Sequence, residues 1–358
     1  MPEENGAALS KSAWSLSPVA TFPGLRALLW SDTFLYASRG YELLRAEIGA
    51  KSIEWKLVAQ YKPQWWRSGS SSFHLSSRLF RDGFHALANL SSGQLVGAVP
   101  GAIVTLNPDE RVFRISHRIL RGARPLHIAA TPDGHLYWGE YFDNPGRDEV
   151  HIYASTDLGS TWNVAYTFPK GGIRHVHNIV HDPWQHCLWI LTGDNGSECR
   201  ILRASLDLRT AQPVLSGGQQ VRAVAAVPGE DELYFSSDTP LERNFIYRLD
   251  RAGILCRLAE LNSSSIYGCR VGSTIFFSTM VEPSQVNRDR AVSVYGSLDQ
   301  ISWQRKLEWK KDRWPMRFFQ YGNAILPDGN NTTEFLAVTT IAVSPGDMET
   351  SIWRVVAE

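Results

Sequence analysis

Seven short apolar segments of this chain each begin with a polar residue, and these starts recur at intervals of about 50 residues. Three of the seven are histidines, in a chain with 10 histidines, and two are arginines. In chain order the starts are Arg26, His85, His127, His177, Arg222, Tyr267 and Asn323. Side chains of these types bind anions, transfer protons or ligate metals when they converge. We therefore treat the seven residues as one candidate site.

The arginines favour a ligand that carries a carboxylate, because a guanidinium binds that group through two parallel hydrogen bonds. Arg174 and Arg270 lie close in sequence to the polar starts and join Arg26 and Arg222. The other residues expected to bind the ligand are His85, Glu140, Asp194 and Asn323. Clustered cations in a chain with 36 basic and 36 acidic residues need an anionic partner or nearby acids. We expect an acidic saccharide, such as a uronate-containing glycan, to be that partner.

Elimination is the reaction that these residue types favour. It needs a base, neutralisation of the carboxylate and an acid at the leaving oxygen. His127 or His177 is the expected base, and Tyr141 or Tyr267 is the expected acid. Histidine and tyrosine outnumber obvious carboxylate pairs among the candidates, which is why elimination is preferred over hydrolysis.

Two other functions fit the same residues. Hydrolysis of a glycosidic bond would need two carboxylates that flank the bond. The carboxylates available for it are Glu140, Asp194, Asp238 and Glu282. A protein that binds a glycan or another protein without catalysis would instead use exposed aromatic side chains, for which Trp65, Trp66 and Trp184 are the candidates.

No cofactor is predicted, although a divalent metal is an alternative. His85, His127 and His177 come from consecutive repeats and could converge on a metal, with Asp194 or Glu140 as an oxygen ligand. The spacing of these histidines does not match an HExxH motif. The four cysteines contain no CxxC pair, so a cysteine zinc site is not expected.

The segments that carry these residues repeat a two-strand pattern. In the third copy, His127-Ile-Ala-Ala-Thr leads to a turn at Pro132-Asp133-Gly134 and then to Leu136-Tyr-Trp-Gly. Seven copies with this period predict an all-β fold, a seven-bladed β-propeller of four-stranded blades. Six blades are the alternative if one copy is irregular. The first strand of each blade lines the central channel, so the seven polar starts should meet at one mouth of it.

The two ends of the chain are expected to close the ring. The segment Trp14–Pro23 resembles the fourth strand of the third copy, and the last copy supplies only three strands. Residues 13–23 are therefore predicted to complete the last blade, which removes exposed strand edges. Residues 1–358 then form a single domain, and residues 63–84 are an insertion expected to be a surface loop.

One motif resembles a known family. Ser155-Thr-Asp157-Leu-Gly159-Ser-Thr161-Trp162 matches the pattern S-x-D-x-G-x-T-W of sialidase-like Asp-box (BNR) propellers, and a weaker copy runs from Ser297 to Trp303. The resemblance implies a propeller of carbohydrate-active type, with a structural role for the motif. The Arg-Ile-Pro signature of true sialidases is absent. The site is similar in chemical type to those of seven-bladed lyases that use histidine with tyrosine or a metal on uronic-acid glycans.

Composition excludes several other functions. The formal net charge is zero, whereas a nucleic-acid-binding protein usually has a basic face, so no nucleic acid is expected as a partner. No apolar run approaches the ~18 residues that a membrane helix needs, so no membrane partner is expected. The start of the sequence is polar and acidic rather than a basic segment followed by an apolar one, which predicts a cytoplasmic protein.

Overall fold

The fold is a seven-bladed β-propeller, as the repeats predicted. The computed structural model describes residues 14–357. Ala13, the first residue expected in the closing strand, lies outside them. Each blade is an antiparallel sheet whose strands follow one another from the channel outward. The first strands begin within two residues of the seven polar starts.

The first strand of the chain, β1 (Trp14–Pro23), belongs to the last blade. Blade 1 contains β2 (Arg26–Asp32), β3 (Phe34–Arg39), β4 (Glu42–Glu47) and β5 (Lys56–Gln60). Blade 2 contains β6 (Ala86–Asn89), β7 (Leu95–Val99), β8 (Ala102–Leu106) and β9 (Arg114–Arg118). Blade 3 contains β10 (Ala129–Ala130), β11 (Leu136–Gly139), β12 (Val150–Ser155) and β13 (Asn163–Phe168).

Blade 4 contains β14 (Val176–Asp182), β15 (Cys187–Thr192), β16 (Arg200–Ala204) and β17 (Ala211–Ser216). Blade 5 contains β18 (Ala223–Pro228), β19 (Glu232–Ser237), β20 (Asn244–Asp250) and β21 (Leu255–Leu261). Blade 6 contains β22 (Ser265–Val271), β23 (Thr274–Thr279), β24 (Ala291–Ser297) and β25 (Gln304–Lys311). Blade 7 contains β26 (Asn323–Ile325), β28 (Phe335–Ile341) and β30 (Glu349–Ala357), with β1 as its outermost strand. Two short strands extend other sheets: β27 (Asp328–Asn331) joins blade 1, and β29 (Val343–Ser344) joins blade 6.

The core lies between neighbouring blades. Second strands such as β7 and β23 are buried along their whole length, because both faces of an inner strand pack against an adjacent blade. Outer strands such as β25 alternate between more and less exposed side chains. Aromatic rings also pack within a blade: Trp138 stacks on Tyr153 of the neighbouring strand of blade 3, with ring centroids 4.3 Å apart. This packing holds the channel-lining first strands in place.

The N-terminal strand closes the ring as predicted. In blade 7, β1 pairs antiparallel with β30 from Trp14 opposite Ala357 to Pro23 opposite Glu349. The Trp14 ring also packs edge-on against Phe276 of blade 6, with centroids 5.8 Å apart. A second contact that the sequence did not suggest is the parallel pairing of β27 with β2 of blade 1. Blades 7 and 1 are therefore joined at two places.

The Asp-box motif forms the turn between β12 and β13. Asp157 Oδ1 accepts hydrogen bonds from Ser155 Oγ at 2.8 Å and from the backbone N–H of Thr161 at 2.9 Å. Trp162 Nε1 donates to Ser116 Oγ of blade 2 at 3.1 Å. The motif thus stabilises one hairpin and links two blades on their outer strands, which is a structural role.

The insertion at residues 63–84 is not the surface loop that the sequence suggested. It contains two short helices, α1 (Trp65–Ser71) and α2 (His74–Phe80). The Arg78 side chain on α2 is 1% exposed, and its Nη1 lies 2.6 Å from both Asp312 Oδ2 and Asp347 Oδ2. A third helix, α3 (Met316–Phe319), accepts a further hydrogen bond from Arg78 through the Phe319 carbonyl. The insertion therefore packs against the loops of blades 6 and 7.

Across residues 14–357, every helix is too short or too polar to cross a lipid bilayer.

Candidate functional site

A cavity of about 550 Å³ lies at the end of the channel where the first strands begin, and we call it the mouth cavity. The first strands of all blades run in the same direction along the channel, so their starts meet at this end. Nine of the predicted site residues line the cavity: Arg26, His85, Tyr141, Arg174, His177, Asp194, Arg222, Tyr267 and Asn323. Asp238 and Glu282, two of the carboxylates considered for hydrolysis, line it as well.

His127 and Arg270 do not lie in the mouth cavity. Both line a second cavity of about 860 Å³ at the other end of the channel, which we call the opposite cavity. Arg270 follows Tyr267 by three residues on β22, and three residues of a strand span about 10 Å along the channel. The regular strand of blade 3 begins only at Ala129, and His127 Nδ1 lies 2.9 Å from Asp328 Oδ2. His127 is therefore not placed to act together with His177.

Glu140 also points away from the mouth cavity. Its side chain is 4% exposed, and its Oε1 accepts a hydrogen bond from Arg121 Nε at 2.9 Å. The other carboxylate oxygen accepts the backbone N–H of His151 at 2.8 Å. Glu140 holds the loops of blade 3 together, so the prediction that it binds the ligand or a metal is not supported by its position.

Three basic residues of the cavity were absent from the predicted site. Arg81 comes from the insertion, Arg124 from the loop before β10, and His175 from the residue before β14. The spacing of His175 and His177 was a signal that could have been used, since residues two apart on an extended chain share a face. Arg81 and Arg124 lie outside the repeat pattern, so the repeats gave no means of finding them.

The wall formed by blades 1 to 3 is cationic. Arg26, Arg81 and Arg124 line it, and none of the three has an ion pair with a carboxylate within residues 14–357. The Nε atoms of Arg26 and Arg124 are buried and have no hydrogen-bond partner in this part of the chain. Burial, followed by the charges of Arg26 and Arg81, lowers the pKa of Arg124 to about 9, so its guanidinium is still charged at neutral pH. The positive charge of this wall is therefore not paired with any carboxylate among residues 14–357.

His85 belongs to the same wall. Its Nε2 lies 2.7 Å from the Arg81 carbonyl, which can only accept a hydrogen bond, so Nε2 carries the proton. Its Nδ1 is buried and has no hydrogen-bond partner among residues 14–357. Burial and the charges of Arg124 and Arg26 lower the pKa of His85 well below its ordinary value. A neutral His85 therefore presents a free acceptor nitrogen beside the arginines.

The wall formed by blades 4 and 5 is built differently. His175, His177 and Asp194 lie together there, with 3.0 Å between the two Nε2 atoms and 3.3 Å from His177 Nε2 to Asp194 Oδ1. Tyr141 packs against His175 with ring centroids 4.3 Å apart, and burial raises the pKa of its phenol to about 12.

Arg222 joins the acidic groups of this wall. Its Nη2 lies 3.4 Å from Asp194 Oδ1 and 3.4 Å from Asp238 Oδ2. The pKa of Asp238 is raised to about 7 in total. Burial is the largest cause, Arg222 opposes it, and the charges of Glu282 and Asp194 add to it. Asp238 therefore ionises near neutral pH, unlike an ordinary aspartate.

This pKa predicts how stability depends on pH. A carboxyl whose pKa is higher in the folded state binds its proton more tightly when the protein is folded. The free energy of unfolding is therefore highest, as far as Asp238 is concerned, below about pH 4, and it decreases as the pH rises to about 7. The variant Asp238→Asn cannot ionise at this position, so its free energy of unfolding should not decrease over this pH range. We expect the variant to gain on the order of 1–3 kcal/mol relative to the natural chain between pH 4 and pH 8. Denaturant unfolding at several pH values measures this difference, and a difference that does not change with pH would contradict the assignment.

The histidine triplet considered for a metal does not form. His85 bonds to the Arg81 carbonyl, His127 lies in the opposite cavity, and of these three histidines only His177 belongs to a group of three potential ligands among the described residues. The described residues instead bring together His175, His177 and Asp194, whose ligand atoms lie within 4.8 Å of one another.

Comparison with known proteins identifies the fold and no family. No protein-family model and no curated protein matches this chain. A chain in the crystal structure of the mitotic checkpoint complex matches with a TM-score of 0.57 and 11% identity, over 94% of this chain and 95% of that one. The WD40 β-propeller domain of Doa1 matches with a TM-score of 0.57 and 10% identity, over 96% and 97%. A chain of the nidogen/laminin complex matches with a TM-score of 0.51 and 12% identity, over 81% and 96%.

These similarities agree with the seven-bladed architecture. At such identities they establish the fold alone. Any more specific function has to be argued from the mouth cavity.

Proposed function

We propose that the protein binds an acidic saccharide in the mouth cavity and breaks it down there. The observation that carries this proposal is the cationic wall, where Arg26, Arg81 and Arg124 have no carboxylate partner among the described residues. A carboxylate on the ligand would supply the missing charge, and forked guanidinium groups suit that anion.

The hydrogen-bonding groups of the same cavity favour a sugar acid over a simple carboxylate. His85 Nδ1 and Asn323 Oδ1 are buried acceptors with no donor in the described chain. A buried acceptor without a partner costs free energy, which a ligand hydroxyl would recover. A uronate offers both the carboxylate for the arginines and hydroxyl groups for these acceptors.

Elimination remains the preferred reaction, with a changed base. The proton to be removed lies on the carbon next to the carboxylate, so the base must lie beside the arginines that hold that carboxylate. His85 meets this requirement through its free Nδ1, whereas His127 does not. Tyr267 lines the cavity together with Arg26 and is the acid that we assign to the leaving oxygen.

Hydrolysis is the second candidate because of Asp238. A carboxyl with a pKa of about 7 is protonated often enough to act as a general acid, and Glu282 and Asp194 lie in the same cavity. Incubation with uronate-containing and neutral glycans separates the two reactions. Elimination creates an unsaturated uronate with new ultraviolet absorbance, and hydrolysis creates reducing ends without it. If the protein binds the acidic glycan but forms neither product, the proposed ligand is retained and the proposed enzymatic activity is wrong.

Arginine variants test the binding step itself. Arg124→Met should weaken binding of an oligogalacturonate by roughly 30-fold or more, since removing one partner of a buried charge pair costs about 2–5 kcal/mol. The melting temperature should stay the same or rise, because Arg124 is an unpaired buried charge. Titration calorimetry measures the affinity.

Arg270→Met is the matched control, because Arg270 is an arginine of the same channel that lines the opposite cavity. It should bind the oligogalacturonate as the natural chain does. Equal losses in the two variants, or loss in Arg270→Met alone, would place the ligand elsewhere and overturn the proposal.

A further inference from the structure

The two histidines of blade 4 have their Nδ1 atoms occupied. His177 Nδ1 lies 2.9 Å from the Ala223 carbonyl, and His175 Nδ1 lies 3.1 Å from the Phe142 carbonyl. A carbonyl oxygen accepts hydrogen bonds and cannot donate them, so each Nδ1 carries a proton. In a neutral imidazole the other nitrogen is then a bare acceptor. Both Nε2 atoms therefore present lone pairs.

These lone pairs point at each other and at a carboxylate. The Nε2 atoms are 3.0 Å apart, and Asp194 Oδ1 is 3.3 Å from His177 Nε2 and 3.5 Å from His175 Nε2. Three acceptors at these distances repel one another unless a cation lies between them. His175 and His177 are buried, with side chains 8% and 2% exposed, so bulk water does not relieve the repulsion.

The spacing of the three atoms suits a metal ion. With metal–ligand bonds of about 2.1 Å, two ligands at neighbouring tetrahedral or octahedral positions lie about 3.0–3.4 Å apart. The observed separations of 3.0, 3.3 and 3.5 Å fall at or beside that range. Backbone carbonyls that hold the far nitrogen of each histidine are the usual outer partners of metal-binding imidazoles, because they fix the ring orientation.

We propose that His175, His177 and Asp194 bind a divalent transition metal such as zinc. Two imidazoles and one carboxylate form a donor set that zinc and non-haem iron share. Arg174 Nη1 lies 3.3 Å from Asp194 Oδ2, and Arg222 Nη2 lies 3.4 Å from Oδ1, so a metal on Oδ1 would share that oxygen with a long contact to Arg222. Three protein ligands leave at least one coordination position for water or a ligand oxygen, and the mouth cavity provides the room for it.

Zinc binding to the full chain tests this site without any saccharide. The protein is stripped with a chelator, loaded with Zn²⁺, dialysed and assayed for bound metal, and its melting temperature is measured with and without Zn²⁺. We expect one equivalent of zinc and a rise in melting temperature, because an ion that binds the folded state stabilises it. His177→Ala and Asp194→Asn should each lower the affinity by more than the roughly 10–100-fold that loss of an outer partner costs.

The exposed His186 provides the control, since His186→Gln removes a surface imidazole outside the mouth cavity. That variant should retain one equivalent of zinc. Asp194→Asn preserves the shape of the side chain and keeps the test valid if His177→Ala does not fold. The metal site would be wrong if the natural chain binds no zinc, or if it and Asp194→Asn bind equal amounts of zinc. Neither outcome bears on saccharide binding at the arginines, which the Arg124→Met experiment tests separately.

Discussion

A chain that begins at Gly24 should lose cooperative folding, whereas one that begins at Trp14 should retain it. The difference between the two truncations is the strand β1, which pairs with β30 along its whole length. Its removal leaves the outer edge of β30 unpaired and exposes the packing surface for Trp14. Trp14 is 4% exposed, and truncation of a buried tryptophan alone costs about 3–5 kcal/mol. Thermal unfolding followed by circular dichroism measures the outcome.

Single substitutions on β1 provide a milder form of the same test. Trp14→Ala should lower the free energy of unfolding by about 3–5 kcal/mol. Val19→Ala should change it by less than about 1 kcal/mol, because Val19 is 47% exposed on the same strand. If the chain that begins at Gly24 melts like the one that begins at Trp14, ring closure by β1 does not contribute to stability. The parallel pairing of β27 with β2 would then be the effective closure.

Arg78→Ala should lower the free energy of unfolding by about 3–5 kcal/mol, because it leaves two carboxylates without their shared cation. Arg78 Nη1 lies 2.6 Å from an oxygen of Asp312 and 2.6 Å from an oxygen of Asp347. The substitution also releases α2 from the loops of blades 6 and 7. Since Arg81 follows α2 and lines the mouth cavity, affinity for an oligogalacturonate should fall as well.

Arg317→Ala is the matched control for that experiment. Arg317 lies on the neighbouring helix α3, is exposed and has no carboxylate partner among residues 14–357. Its removal should change the free energy of unfolding by no more than about 0.5 kcal/mol. Equal effects of the two substitutions in denaturant unfolding would mean that the insertion is not anchored through Arg78.

The architecture could be predicted from the sequence because each blade repeats the same local pattern. Polar starts, apolar first strands and aromatic second strands recur, and inner strands buried on both faces require that pattern in every blade. The closing role of β1 followed from its likeness to the fourth strand of the third copy. The helices of the insertion could not be predicted in this way, since α2 is held by Arg78 and its partners more than 200 residues away in sequence.

The site was predictable only where it follows the repeat. His85, His177 and Arg222 reach the mouth cavity because they lie at the starts of first strands or just before them. Arg270 was assigned by closeness in sequence, but a strand carries its residues away from the mouth as it runs along the channel. The prediction for His127 was wrong because the first strand of its blade begins later, and its ring contacts Asp328 in the opposite cavity.

Arg81 and Arg124 show the limit of reasoning from repeats. Both come from connections whose path depends on tertiary packing, yet they form the cationic wall with Arg26. The repeats supplied one of these three arginines, and only the three-dimensional structure shows that none of the three forms an ion pair with a described carboxylate. The anionic ligand was therefore predicted from a partly different set of arginines.

The most direct test of the proposed function is a crystal structure of the protein with a bound oligogalacturonate. We predict that a ligand carboxylate lies within hydrogen-bond distance of Arg26 and Arg124 in the mouth cavity, with a hydroxyl group on His85 Nδ1. Sugar density confined to the opposite cavity, beside His127 and Trp184, or an unaltered mouth cavity at saturating ligand, would contradict the proposal.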